Sequence, residues 1–91
     1  MHAVVVNVTI NDVEPATEIL RTEVVPRASQ APGFVAGYWT RSSESNRGLS
    51  MVVFQSEEAA QAAAQQIQAM GAPSDAVTLD SVEVREVVAN A

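Results

Sequence analysis

Asn7 is the residue whose type and position most directly suggest a catalytic or ligand-binding role. It is a polar side chain inside the apolar, β-branched stretch His2 to Ile10, which predicts a strand that is buried between a sheet and its helices. Burying an amide without partners costs about 1–3 kcal/mol, so we expect Asn7 to hydrogen-bond to something. That partner is either a bound ligand or, more commonly, the neighbouring backbone or water.

Large apolar side chains on two further predicted strands are candidates for the walls of a pocket. They are Phe34, Trp39, Met51 and Phe54. Apolar residues at strand spacing more often belong to the hydrophobic core or to a subunit interface, and that alternative stays open. Strict alternation along the strand places Phe34 and Tyr38 on one face of the sheet and Trp39 on the other.

The remaining candidates have simpler explanations than catalysis. His2 stands at the start of a strand, where a solvated imidazole is the ordinary case, and it has no co-ligands, so we assign no metal. Glu57 and Glu58 fall in the first turn of a predicted helix, where the helix dipole favours carboxylates. Arg41 and Arg47 flank a hairpin loop and could attract an anion, although loop solubility explains them as well.

Composition narrows the class of protein. The chain has 91 residues, a formal net charge of −6 and no cysteine, and 47% of its residues are hydrophobic. We therefore predict a single folded domain over 1–91, without disulfides or thiolate metal sites. The negative charge argues against nucleic acid and anionic lipid as partners, and no apolar run reaches the roughly 20 residues that span a bilayer. Cytoplasm is the expected location.

The elements that position these residues follow from periodicity and from capping signals. After the first strand, Asp12 can cap a helix that Pro26 should kink or end. Ser56 caps a second helix, and Gly71 ends it. The other predicted strands are Phe34–Arg41, Leu49–Gln55 and Ser81–Val88.

The predicted order β-α-β-β-α-β defines an α+β fold of the ferredoxin-like type. Its right-handed crossovers place both helices on one face of a four-stranded antiparallel sheet. Strands one and three are apolar on both sides, so two helices leave an apolar sheet face uncovered. Association of two copies is the commonest way to bury such a face, and we predict a homodimer.

Two segments resemble a known family. Gln30-Ala31-Pro32-Gly33-Phe34-Val35-Ala36-Gly37-Tyr38-Trp39 and Met51-Val52-Val53-Phe54-Gln55-Ser56-Glu57-Glu58-Ala59 are similar to the dimeric α+β barrel superfamily, and specifically to antibiotic-biosynthesis-monooxygenase-like domains. The resemblance covers nearly the whole chain. It implies two subunits whose sheets pack face to face, with a pocket in each subunit between sheet and helices.

The resemblance also implies roles for particular residues. Catalytic members, which are cofactor-free quinone-forming monooxygenases and haem-degrading enzymes, place an Asn on the first strand, a Trp on the third and often a His on or after the second helix. Asn7 matches the first of these, Phe54 stands in place of the Trp, and no histidine follows His2. We therefore predict that the chain does not bind or degrade haem specifically.

Two functions remain open at this stage. In the first, Asn7 polarises an oxygen of a small aromatic or polycyclic compound, and no cofactor is needed because such a substrate can itself activate oxygen. In the second, the chain is a non-catalytic dimeric module that binds a small apolar molecule or scaffolds a partner. A cavity of about 300 Å³ or more that touches Asn7 favours the first, and a filled interior favours the second.

Overall fold

Four strands form one antiparallel sheet in the computed structural model, which describes residues 1–91. The strand order is β2-β3-β1-β4, so the first strand of the chain lies in the middle of the sheet. This arrangement confirms the predicted ferredoxin-like α+β fold. The elements are β1 (His2–Ile10), α1 (Val13–Ile19), a π-helical segment (Leu20–Val24), α2 (Val25–Ser29), β2 (Phe34–Arg41), β3 (Arg47–Phe54), α3 (Glu57–Met70) and β4 (Val77–Glu86).

The first helix is continuous through α1, the π-helical segment and α2. Backbone angles at both junctions are right-handed helical, and the amide of Val25 donates to the carbonyl of Leu20, five residues earlier. Pro26 explains the wide turn, because it has no N–H and its ring would collide with the carbonyl four residues before it. Pro26 therefore perturbs the helix, as predicted, without ending it, and the helix continues to Ser29.

The second helix, α3, has the predicted signals at both ends. The Ser56 hydroxyl accepts a hydrogen bond of 3.1 Å from the amide of Ala59, which caps the first turn. Gly71 ends the helix with a φ of +71°, in the left-handed region that suits glycine. Ala60 and Ala64 are buried against the sheet, and such small side chains let the helix axis approach it closely.

The hydrophobic core lies between the sheet and the helices, on what we call the covered face of the sheet. Alternate residues of β1 and β3 point there. The opposite side is the open face. The core consists of Val4, Val6, Val52, Phe54, Ala60 and Ala64, with Val8, Ala31, Phe34, Trp39, Ala59, Ala63, Ile67, Leu79, Val82 and Val84 packed against it.

Two strands depart from strict alternation. The register of β2 shifts between Phe34 and Ala36, so Phe34 and Trp39 both pack against the core. The prediction that they occupy opposite faces was therefore wrong. Gly37 lies beneath the Trp39 ring, and a Cβ added there would come within 2.7 Å of it.

The bounds of β3 and β4 also differ from the prediction. β3 begins at Arg47, and β4 runs from Val77 to Glu86 instead of from Ser81 to Val88. The register between β1 and β4 shifts next to Asn7, which puts Leu79 and Val82 on the same face although they are three residues apart. Because this shift interrupts the two-residue alternation of side chains, the sequence pattern does not show where β4 begins.

Candidate functional site

Asn7 lies on the open face of the sheet. Its β3 partner is Leu49 and its β4 partner is Ser81, while Val6 and Val8 on either side of it point towards the helices. The expectation that Asn7 is buried between sheet and helices was therefore wrong. The sequence could not assign the face, because β1 carries apolar residues on both sides.

The hydrogen bond predicted for the Asn7 amide is formed within the chain. Its Nδ2 donates to Ser81 Oγ at 3.1 Å, and the side chain is only half-buried. The bond with Ser81 uses one of the two N–H groups of the amide, and water can reach the other because the side chain is half-exposed. The remaining hydrogen-bonding capacity of Asn7 faces the solvent side of the sheet.

The four predicted pocket residues do not gather around Asn7. Phe34, Trp39 and Phe54 belong to the covered face, where Phe34 and Phe54 meet edge to face with ring centroids 6.4 Å apart. Met51 is on the open face, paired with Val5 and with Tyr38. In this structure three of the four are therefore core residues, and one lies on the same surface as Asn7.

A concavity of about 310 Å³ opens beside Asn7 at the hairpin end of the open face. It forms where β2 ends and β3 begins, next to the middle of β1. The hairpin is closed by the Ser42 amide, which donates to the Arg47 carbonyl at 2.9 Å. We call this surface the Asn7 concavity. Its lining residues are Asn7, Thr40, Arg41, Ser42, Arg47, Gly48 and Leu49.

Most of the residues that line the Asn7 concavity are polar or charged, and Leu49 is the hydrophobic one. Arg47 stands on the open face, directly beside Thr9 of β1. Arg41 leaves β2 one residue after Thr40, so its Cβ points towards the covered side and only a bent side chain reaches the concavity. Neither arginine makes an ion pair, and no carboxylate lines the surface.

His2 is less exposed than the sequence suggested. Its Nε2 lies 3.5 Å from a carboxylate oxygen of Glu57, in the first turn of α3, and its Nδ1 is buried without a hydrogen-bond partner. The expectation of a solvated imidazole was wrong, because the start of β1 lies next to the start of α3. His2 is on the covered side of the sheet and does not reach the Asn7 concavity.

No group of three or more His, Cys, Asp or Glu side chains is arranged so that it could hold a metal ion. None of the helices has the length and the apolar character needed to cross a membrane.

Comparison with known proteins gives a structural relative. No protein-family model matches the chain, and no curated protein matches it either. Among solved structures, the chain is similar to MhuD, a heme-degrader from Mycobacterium tuberculosis whose structure has two hemes bound in its active site. The two chains share 27% sequence identity over 97% of this chain and 98% of MhuD, with a TM-score of 0.58. This likeness supports the antibiotic-biosynthesis-monooxygenase-like fold that the sequence motifs suggested.

Proposed function

We propose that this chain is a homodimeric, monooxygenase-like protein that binds a small aromatic compound at the Asn7 concavity. The observation that carries the proposal is the position of Asn7 on an open concavity whose volume, about 310 Å³, matches the lower end of ligand sites. The likeness to a heme-degrader supports a small-ligand site on this fold. As the sequence predicts, we propose that residues 1–91 act as one domain in the cytoplasm.

Asn7 is proposed to hold an oxygen of the ligand. The second N–H on Nδ2 of this half-exposed amide can donate to a phenol or carbonyl oxygen, and Oδ1 can accept from a phenol hydroxyl. Ser81 fixes the amide by accepting its other N–H. A phenolate held in this way is the electron-rich species that reacts with oxygen without a cofactor in the enzymes that the motifs resemble.

A non-catalytic binding module is the second candidate. The observation that favours it is the covered face, where Phe34, Trp39 and Phe54 fill the region in which the family resemblance places a pocket. The two candidates differ in turnover and share the same binding site. Oxygen consumption therefore separates them.

The test uses Asn7→Val with Thr9→Val as the matched control. Thr9 is on the same strand and the same face, and its hydroxyl donates to Asp80 at 2.7 Å. We expect polycyclic hydroquinones to raise the melting temperature of the wild type and of Thr9→Val, and to leave that of Asn7→Val unchanged. Retention of the ligand response in Asn7→Val would remove Asn7 from the site. Oxygen uptake above the spontaneous rate, with one atom of isotopically labelled dioxygen found in the organic product, identifies the oxygenase, and binding without such incorporation identifies the module.

Haem does not fit the residues present. His2 is the only histidine, its Nε2 faces Glu57, and it lies on the side of the sheet opposite the Asn7 concavity. We expect haem titration to give no stoichiometric Soret shift. A shift that disappears in His2→Ala would contradict this expectation.

The homodimer is proposed from the open face. Tyr38 is 68% exposed and Met51 39%, and these two side chains are direct neighbours across β2 and β3. An apolar surface of this kind is normally buried by association, and a second copy of the same surface gives a closed, isologous pair.

Sedimentation tests the dimer. We expect the wild type to sediment as a dimer at micromolar concentration and Met51→Glu to sediment at the chain mass of 9.6 kDa. Met70→Glu is the control, because Met70 is also exposed but lies at the end of α3, away from the open face. A wild type that stays monomeric throughout this range would contradict the proposal.

A further inference from the structure

The distribution of positive charge on this acidic chain is uneven. There are 11 acidic residues and only five arginines, with no lysine. Two of the five, Arg41 and Arg47, flank one hairpin and line one concavity. A third, Arg85, also lies on the open face, but it is paired with Glu83. The hairpin arginines have no such partner, although carboxylates outnumber arginines in the chain.

Charge also changes sign across the open face. The concavity at the β2–β3 end is lined by arginine, amide and hydroxyl groups and by no carboxylate. At the β4 edge, Asp80 and Glu83 face the same side, bonded to Thr9 and Arg85 respectively. Only Thr9 separates Asp80 from Arg47, because Thr9 bonds to the first and pairs with the second. The concavity itself, which no carboxylate lines, is therefore the part of the open face that favours an anionic ligand.

The chemistry of the hairpin end suits a carboxylate. Arg47 offers a planar set of N–H donors that matches a carboxylate in two parallel hydrogen bonds. Asn7 Nδ2 retains a second N–H, and Thr40 is not available as a donor because its hydroxyl donates to the Leu49 carbonyl at 2.6 Å. The apolar wall of the concavity is Leu49.

We propose that the ligand of the Asn7 concavity is an aromatic carboxylate whose acidic group is held by Arg47, with Arg41 in a supporting position, and whose ring lies over Leu49. This inference rests on the proposed function, because it names the class of compound for the same site. Arg47 stands on the open face and Arg41 begins on the other, so the two contribute unequally.

The experiment compares 2-naphthoate with 2-naphthamide, its neutral isostere, by calorimetry and by amide chemical-shift titration at fixed ionic strength. The variants are Arg47→Gln, Arg41→Gln and the control Arg21→Gln, an exposed arginine on the first helix. We expect the wild type to prefer naphthoate by roughly tenfold or more, the size of one charge-assisted contact. Arg47→Gln should remove the preference for naphthoate and leave the binding of naphthamide unchanged. Arg41→Gln should reduce the preference by a smaller factor, and Arg21→Gln should preserve it.

Each of the other possible results of this experiment contradicts a different part of the proposal. Equal affinity for acid and amide in the wild type overturns the carboxylate site and leaves the aromatic site of the proposed function intact. Absence of binding by both compounds, with no shifts at the hairpin, overturns both proposals. Inorganic phosphate that displaces naphthoate with higher affinity overturns the carboxylate assignment. A preference that survives Arg47→Gln overturns the role of that residue.

Discussion

The two faces of the sheet are built from alternate residues of the same strands and have different properties. On the covered face, Val4, Val52 and Phe54 are buried against the alanines of α3. On the open face, Tyr38 and Met51 keep much of their surface in contact with water. A single strand therefore contributes alternate residues to the buried core and to a partly exposed surface.

The difference shows that burial alone does not identify the covered face. Ala3 and Val5 are 2% and 4% exposed although they point to the open side. They are small side chains on the central strand, and Val5 is flanked by Met51 and Glu83, which cover it laterally. Stability therefore resides in the covered face and the middle of β1, while the outer part of the open face is available for association and ligand binding.

The largest expected effect is on the covered face. Phe54→Ala removes a ring that is 2% exposed, and we expect the free energy of unfolding to fall by about 3–5 kcal/mol. Urea unfolding at low protein concentration measures it. Tyr38→Ala on the open face is the comparison, and there we expect a change within about 0.5 kcal/mol. A loss of similar size at both positions, when the protein is too dilute to associate, would abolish the distinction between the faces.

The next effect concerns the fit between Gly37 and Trp39. A Cβ at position 37 would lie 2.7 Å from the Trp39 ring, so Gly37→Ala should cost about 1–3 kcal/mol by overpacking. Adding Trp39→Leu to Gly37→Ala removes the obstructing ring, so thermal unfolding of both single variants and the double variant should give a loss smaller than the sum. Additive losses would mean that the ring moves aside without cost.

A smaller effect distinguishes the two helices that form the covering layer. Ser56→Ala removes a capping hydrogen bond from α3 and should cost about 1 kcal/mol. Asp12 occupies the corresponding position before α1, but its side chain makes no capping bond. Asp12→Ala should therefore cost less than Ser56→Ala, as measured by chemical denaturation of both variants. The reverse order would contradict the capping geometry.

The smallest effect is expected at Asn7. Its amide is half-exposed and its hydrogen bond goes to a surface hydroxyl, so Asn7→Ala should lower the free energy of unfolding by less than about 1 kcal/mol. Thermal denaturation without ligand tests this. A loss of about 1–3 kcal/mol, the range expected of a buried amide, would contradict the half-exposed position of the Asn7 side chain.

Much of the fold followed from local signals in the sequence. The bounds of β1 and β2 and the Ser56 and Gly71 ends of α3 were predicted because β-branched runs, a capping serine and a terminal glycine act over a few residues. The helix after Asp12 was also predicted, although the π-helical segment before Pro26 was not. A wide turn of this kind depends on hydrogen bonding that periodicity does not reveal.

The site was harder to predict than the fold. Asn7 was found as an unusual residue, but its face depends on pairing with Leu49 and Ser81, which are distant in sequence. Strict alternation along β2 predicted that Phe34 and Trp39 lie on opposite faces of the sheet. A register shift in β2 puts them on the same face. Arg47 was noticed beside the hairpin, and only the register of β3 against β1 brings it near Asn7. The hydrophobic pattern specifies register where one face of a strand is clearly apolar, and β1 is apolar on both faces.

The central place of β1 has a consequence for how the protein folds. The strand that comes first in the chain has its two neighbours, β3 and β4, much later in the sequence, so the middle of the sheet closes only after long loops have been brought together. Topologies dominated by such distant pairings fold slowly for their size. Until β4 docks, one edge of the valine-rich segment Val4-Val5-Val6 remains unpaired and uncharged, which is the kind of edge that pairs with other chains. Refolding yield should therefore decline as protein concentration rises. The strand β1, which supplies much of the core, is also the strand most prone to aggregate before folding is complete.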